Sequence, residues 1–235
     1  MIDTSYSCWL KDECCSKKKK QCLNEDIFCL KLFKLTNLYN SSLLPNKYKN
    51  KLLLYTEDVD SESYYELNNI KNNIKDFVDN GNNLYIYSII CGNGKTSWAA
   101  KLIKAYFNSI WMESNLENKA LFINVPRFLL ALKDNISNKN EYVEHILTNV
   151  NNSNLVIWDD IATKSITEFE SEHLLSIIDN RISNTKSNIF TSNMDARAVY
   201  DLLGARLASR IINSSINIEL KGKDKRNFKG VENIN

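Results

Sequence analysis

Short apolar runs alternate with longer segments of helical period along most of this chain. Between Tyr64 and Asp79 the residues Leu67, Ile70, Ile74, Phe77 and Val78 recur at three- and four-residue intervals, and Gly81 follows as a stop; the spacing predicts one amphipathic helix over 64–79. Beyond it, β-rich runs at 84–90, 120–125, 155–158, 188–191 and 215–220 read as strands. Helical periods fill 96–110, 127–133, 141–150, 168–183 and 196–212. Leu155-Val156-Ile157-Trp158 is apolar without alternation, as a strand covered on both faces requires. Strands alternating with helices predict an α/β fold with a five-stranded parallel sheet between helices. The remaining divisions are compositional: a Cys- and Lys-rich head over 1–45, a polar linker over 46–63, and the α/β domain over 64–235.

Composition adds bounds. A chain of 235 residues, 43% hydrophobic, can bury one core of roughly 150–200 residues. No run of 18 apolar residues occurs, and the first residues lack the charged-then-apolar order of a secretory signal, so a soluble intracellular protein without a membrane segment is expected. The net charge of +2 announces no nucleic-acid partner by itself, and any DNA contact has to come from local patches. Two patches exist, Lys17-Lys18-Lys19-Lys20 and the stretch Lys221, Lys223, Lys225, Arg226, Lys229; both read first as solvated charge runs. Trp98, Trp111, Phe122 and Phe128 fall at core positions rather than on a stacking platform, and His145 and His173 stand alone on helices without a catalytic role.

Candidate chemistry begins where the first strand ends. In Ile89-Ile90-Cys91-Gly92-Asn93-Gly94-Lys95-Thr96-Ser97 a glycine turn joins a buried strand to a helix. That order lets backbone N–H groups curl round phosphate oxygens at the positive end of a helix dipole. Gly92, Asn93, Gly94, Lys95, Thr96 and Ser97 are the candidate nucleotide-binding residues, with Lys95 on the β- and γ-phosphates and the Thr96 hydroxyl on Mg²⁺. The pattern G-x-x-x-x-G-K-[ST] has Ile89 where its first glycine belongs. About sixty residues on, Leu155-Val156-Ile157-Trp158-Asp159-Asp160 ends four apolar residues in two carboxylates, of which Asp159 would reach Mg²⁺ and Asp160 would polarise the attacking water. The run 188–191 leads into Ser192-Asn193, placing the Asn193 amide at the same sheet edge to meet a γ-phosphate or the lytic water. Arg206 and Arg210, at i and i+4 on one helix, can grip phosphate, and Arg210 is the candidate finger acting on a neighbouring subunit.

The blocks GNGKTS, LVIWDDI, NIFTSN, LGARLASRI and KGKDKR, in that order over about 81–226, resemble the DnaC/DnaI-like helicase loaders of bacteria and their phages. The resemblance implies an AAA+ P-loop ATPase core without a C-terminal lid domain, with Lys95, Thr96, Asp159, Asp160, Asn193 and Arg210 at Walker A, Walker B, sensor and finger positions. It also implies ATP-gated delivery of a hexameric DnaB-type replicative helicase to single-stranded DNA, self-association through ATP-bridged interfaces, and a cytoplasmic location in a bacterial cell, with a phage or prophage origin open. Two other readings stay open: a transposition helper ATPase of the IstB kind, and a nucleotide-binding adaptor with little hydrolysis, for which Ile89 and the short second carboxylate Asp160 would be the marks. In the head, Cys8, Cys14, Cys15, Cys22 and Cys29 supply enough thiols for one tetrahedral Zn²⁺, four of the five ligating, or else are free structural cysteines. DnaI-like loaders carry a zinc-bearing N-terminal module, so by resemblance the head is the helicase-binding part.

Overall fold

The computed structural model of the protein describes residues 29–49, 58–115 and 117–225. Helix α1 (Leu30–Ser41) comes first. Helices α2 (Ser61–Asn72) and α3 (Ile74–Asp79) lead into strand β1 (Asn83–Tyr87) and helix α4 (Lys95–Ile110). Then follow β2 (Ala120–Asn124), α5 (Val125–Asp134), α6 (Glu141–Asn149), β3 (Leu155–Asp159), α7 (Glu168–Ser183) and β4 (Ser187–Ser192). Helices α8 (Ala196–Leu203) and α9 (Ala205–Ile212) and strand β5 (Ser215–Glu219) complete the described fold.

All strand pairs are parallel, in the order β2-β3-β4-β1-β5, so β1 lies inside the sheet between β4 and β5, and all five C-terminal ends share one side of it. The two-residue period of a strand sends alternate side chains to opposite layers. Leu84, Ile86, Phe122, Leu155, Ile157 and Ile189 join the α1–α4 layer through Trp98, Ile103 and Phe107. Tyr85, Leu121, Ile123, Val156, Trp158 and Phe190 join the α5–α9 layer through Phe128, Ile146, Leu174 and Ile211. The inner strands are therefore buried on both faces, as their unalternated sequence requires.

Three elements differ from the sequence expectation. The helix over 64–79 is two helices that meet at Asn73 (φ −112°, ψ 29°), whose side-chain amide donates to the Asn69 carbonyl 3.0 Å away. The helix over 196–212 is broken at Gly204, where φ 81° and ψ 156° are open only to glycine. Helix α1, assigned by composition to the head, instead buries Leu35, Leu38 and Tyr39 in the same core as α4, and the Phe122 N–H donates to the Ser42 carbonyl at 2.7 Å, covering the outer edge of β2.

One buried cation staples the layers. Arg181 of α7 is fully buried and donates to the carbonyls of Val150, Ser153 and Ser187 and to Asn188 Oδ1. Burial pushes its pKa down to about 9, still above neutrality, so the guanidinium keeps its charge at pH 7. No helix among the described residues is long and apolar enough to cross a membrane.

Candidate functional site

The turn after β1 is shaped by glycine. Gly92 (φ 76°) and Gly94 (φ 112°) take left-handed conformations, and a Cβ on Gly92 would overlap the Asp224 carboxylate. Gly94 is the residue before α4, so the first N–H groups of that helix open toward the turn. Ile89, standing where the phosphate-loop pattern has glycine, is absent from the residues of positive φ and projects into solvent, 72% exposed; the backbone there does not demand glycine. The Asn93 side chain points inward, donating to Ser88 Oγ (2.6 Å) and the Leu220 carbonyl (2.9 Å), so this loop residue offers a ligand its backbone rather than its amide. Lys95, 5% exposed, reaches back over the turn, its Nζ donating to the Ile90 carbonyl at 3.0 Å.

Opposite the turn, β3 ends in the two carboxylates. Thr191 on β4 ties both to the sheet: its hydroxyl donates to Asp159 Oδ1 at 2.8 Å and accepts the Asp160 N–H at 3.0 Å. Asp160 holds a left-handed backbone (φ 60°), sustained by that bond and by the adjoining Ile161 N–H to the Thr191 carbonyl, 2.9 Å. Burial and the adjacent Asp160 charge raise the pKa of Asp159, against hydrogen bonds from Thr191, Thr96 and Asn124 that lower it. The Asn124 amide, at the end of β2, also reaches Asp160 Oδ2 at 3.5 Å. Asn193 follows β4 on a turn fixed by the Tyr85 hydroxyl on the Met194 carbonyl (2.6 Å) and by the Met194 N–H on Ser192 Oγ (3.1 Å).

These groups share one cavity of about 640 Å³, lined by Gly92, Gly94, Lys95, Thr96, Ser97, Asp159, Asp160 and Asn193 among others. Sequence reasoning placed all eight at this site. It did not place Asn124, Arg127, Phe122, Pro45, Lys47 and Tyr48, which complete the lining, because they come from the end of β2, the start of α5 and the segment after α1. Of these, Asn124 carried a readable signal: it is a polar residue closing an apolar run, as Asn193 is. The cavity holds a lysine, a helix N-terminus, a hydroxyl and two carboxylates, which suits a phosphate chain with a small hard dication on the Thr96 and Asp159 oxygens.

Arg206 and Arg210 do not line the cavity. Both are exposed on α9, and Arg210 Nε pairs with Asp179 Oδ1 of α7 at 2.7 Å. Lys225 also has a local role, its Nζ donating to the Tyr64 hydroxyl at 3.2 Å, and Lys221 pairs with Glu219 at 3.5 Å; Arg226, Lys229 and Lys17–Lys20 lie outside the described residues. Of the cysteines assigned to zinc, Cys29 is exposed at the start of α1 with its Sγ 3.5 Å from the Leu32 N–H, and Cys8, Cys14, Cys15 and Cys22 lie outside the described residues. Among the described residues no group of three His, Cys, Asp or Glu is placed to hold a metal ion.

No family model matches the chain. Over 128 residues it is 27% identical to the replicative helicase loader DnaC of Escherichia coli (strain K12), an overlap of 54% of this chain and 49% of that protein. Over 92 residues it is 29% identical to the DnaC of Buchnera aphidicola subsp. Baizongia pistaciae, 39% of this chain and 37% of that one. The chain thus spans about half or less of the length of these curated relatives. Among solved structures it is similar to the DnaC helicase loader (TM-score 0.58, 19% identity, 78% of this chain and 98% of that one) and to DnaI (TM-score 0.60, 18% identity, 79% and 95%). It is also similar to the replication initiator DnaA bound to AMPPCP and single-stranded DNA (TM-score 0.57, 19% identity, 77% and 52%). The fold these solved structures share with the chain is an α/β fold with a five-stranded parallel sheet, and part of the sequence is similar to DnaC.

Proposed function

We propose that this protein is an ATP-dependent loader that delivers a hexameric DnaB-type replicative helicase to single-stranded DNA, and that its own chemistry is ATP hydrolysis to ADP and phosphate. The observation that carries the reading is the meeting of Lys95, Thr96, Asp159, Asp160 and Asn193 in one cavity at the C-terminal edge of a parallel sheet, where such folds bind nucleotides. The DnaC likeness supports the client.

In this reading Lys95 and the N–H groups of the glycine turn hold the β- and γ-phosphates, and Thr96 with Asp159 would hold Mg²⁺, which supplies charge neutralisation across the phosphate oxygens. Asp160 orients the attacking water, with Asn124 fixing its carboxylate, and Asn193 meets the γ-phosphate. Arg210, exposed and outside its own chain's cavity, serves the site of the next subunit, with Arg206 beside it and Asp179 aiming its guanidinium. Cys8, Cys14 or Cys15, Cys22 and Cys29 hold zinc in a helicase-gripping head; a metal assay of the purified full chain that finds no zinc removes that part.

Complementation tests the assembly. Arg210→Ala and Asp160→Ala chains are each expected to be inactive with helicase and single-stranded DNA. An equal mixture recovers about a quarter of wild-type turnover, the share of randomly formed interfaces that pair an intact site with an intact finger. No recovery in the mixture would contradict a finger acting in trans, and a wild-type chain that never turns over ATP with helicase and DNA present would contradict the ATPase.

A further inference from the structure

We infer that Lys47 and Arg127 form a second cationic wall of the cavity, supplied by the same chain as the phosphate loop, and that this wall binds the terminal phosphate of a nucleoside triphosphate. The inference rests on the nucleotide reading above and names two residues that no motif assigns.

Both residues line the cavity, with Phe122, Asn124 and the two carboxylates among their fellow lining residues. Neither makes an ion pair with a described residue; each is held by an aromatic ring instead. Lys47 Nζ sits 4.7 Å from the centre of the Tyr48 ring, which itself leans on Phe122 at 6.3 Å. The Arg127 guanidinium lies 4.4 Å from the centre of the Tyr142 ring, and the Arg127 backbone N–H is capped by Asn124 Oδ1 at 3.2 Å, the amide of that same Asn124 reaching Asp160 Oδ2 at 3.5 Å. Cation–π stacking fixes direction while leaving every N–H free to donate to an anion.

Charge says which ligand needs them. The lining carries Lys47, Lys95, Arg127, Asp159 and Asp160, a net charge of +1. Without Lys47 and Arg127 it would be −1, facing a magnesium–triphosphate ligand of about −2 in a partly buried site where repulsion is weakly screened. Lys95 alone cannot reverse that sign. The two aromatic-held cations do, within the cavity they share with Asp160, near which the outermost phosphate has to lie if Asp160 is to direct water at it. A diphosphate ends short of this wall. Lys47 and Arg127 therefore discriminate the triphosphate from the diphosphate within one chain, before any neighbouring subunit contributes.

The test compares dissociation constants of a non-hydrolysable ATP analogue and of ADP, each with Mg²⁺, for the full-length wild type, Lys47→Ala, Arg127→Ala and Arg127→Lys, with thermal melting to verify folding. Each alanine variant is expected to weaken the analogue about tenfold and leave ADP unchanged, with Arg127→Lys recovering part of the loss. Equal weakening of both ligands would assign the pair a structural role and overturn the inference. Unchanged constants, with or without a loss of single-stranded DNA binding, would overturn it as well. Failure of the wild type to bind either nucleotide would instead defeat the nucleotide reading on which it rests.

Discussion

Replacing Lys95 by Met is expected to raise the dissociation constant for magnesium–ATP by roughly 100-fold, since charge-assisted bonds to phosphate contribute about 1.5–3 kcal/mol apiece. The lysine is 5% exposed and stands at the mouth of the glycine turn with an N–H on the Ile90 carbonyl. Phosphate oxygens are better acceptors for an ammonium than a backbone carbonyl, so the side chain has a bond to exchange rather than one to create. Methionine keeps the aliphatic stem in its place against the turn, which separates the loss of charge from a loss of packing. Calorimetric titration with a non-hydrolysable analogue reads the effect, and the variant should keep its wild-type circular dichroism. Retention of affinity within a few-fold would mean that the turn does not cradle phosphate.

Arg181→Met is expected to be the most destabilising single change, at about 3–5 kcal/mol, because it takes the guanidinium donors from three backbone carbonyls and leaves Asn188 Oδ1 with the Trp158 indole N–H alone, around an apolar chain in a buried space. In a domain of this size that lowers Tm by roughly 10 °C. Arg181 lies outside the cavity lining, so the folded variant at low temperature should bind nucleotide as the wild type does. A shift of Tm smaller than 2 or 3 °C, or a matching loss of nucleotide affinity, would contradict this separation of staple and site.

How far the molecule was legible follows from what is local and what is not. Strand β3 could be read because both of its faces are covered, which removes alternation from Leu155-Val156-Ile157-Trp158, and the two carboxylates that follow mark where the sheet ends. The glycine turn was equally local. The breaks at Asn73 and Gly204 were missed because apolar spacing continues across them; a period reports which face is buried, not whether the helix axis is continuous. Helix α1 was misplaced for a related reason. Leu30 and Phe33 are exposed while Leu35, Leu38 and Tyr39 are buried, so its apolar stripe is blurred, and neighbouring cysteines drew the whole segment into the head. In the cavity, Thr191 had been placed on its strand but its tie to both carboxylates is tertiary. So are the approach of Lys47, of the segment after α1, and of Arg127, which starts α5.

Helicase loading is read directly by transfer of the source's own hexameric helicase to circular single-stranded DNA, followed by isolation of the DNA and quantification of bound helicase. Helicase is expected to accumulate on the circle when this chain and ATP are both present, and to fall to the level without loader when Lys95→Met replaces the wild type. Equal helicase on the DNA with and without this chain, while its ATP hydrolysis is intact, would contradict the loader and move the assignment to a transposition-type helper ATPase.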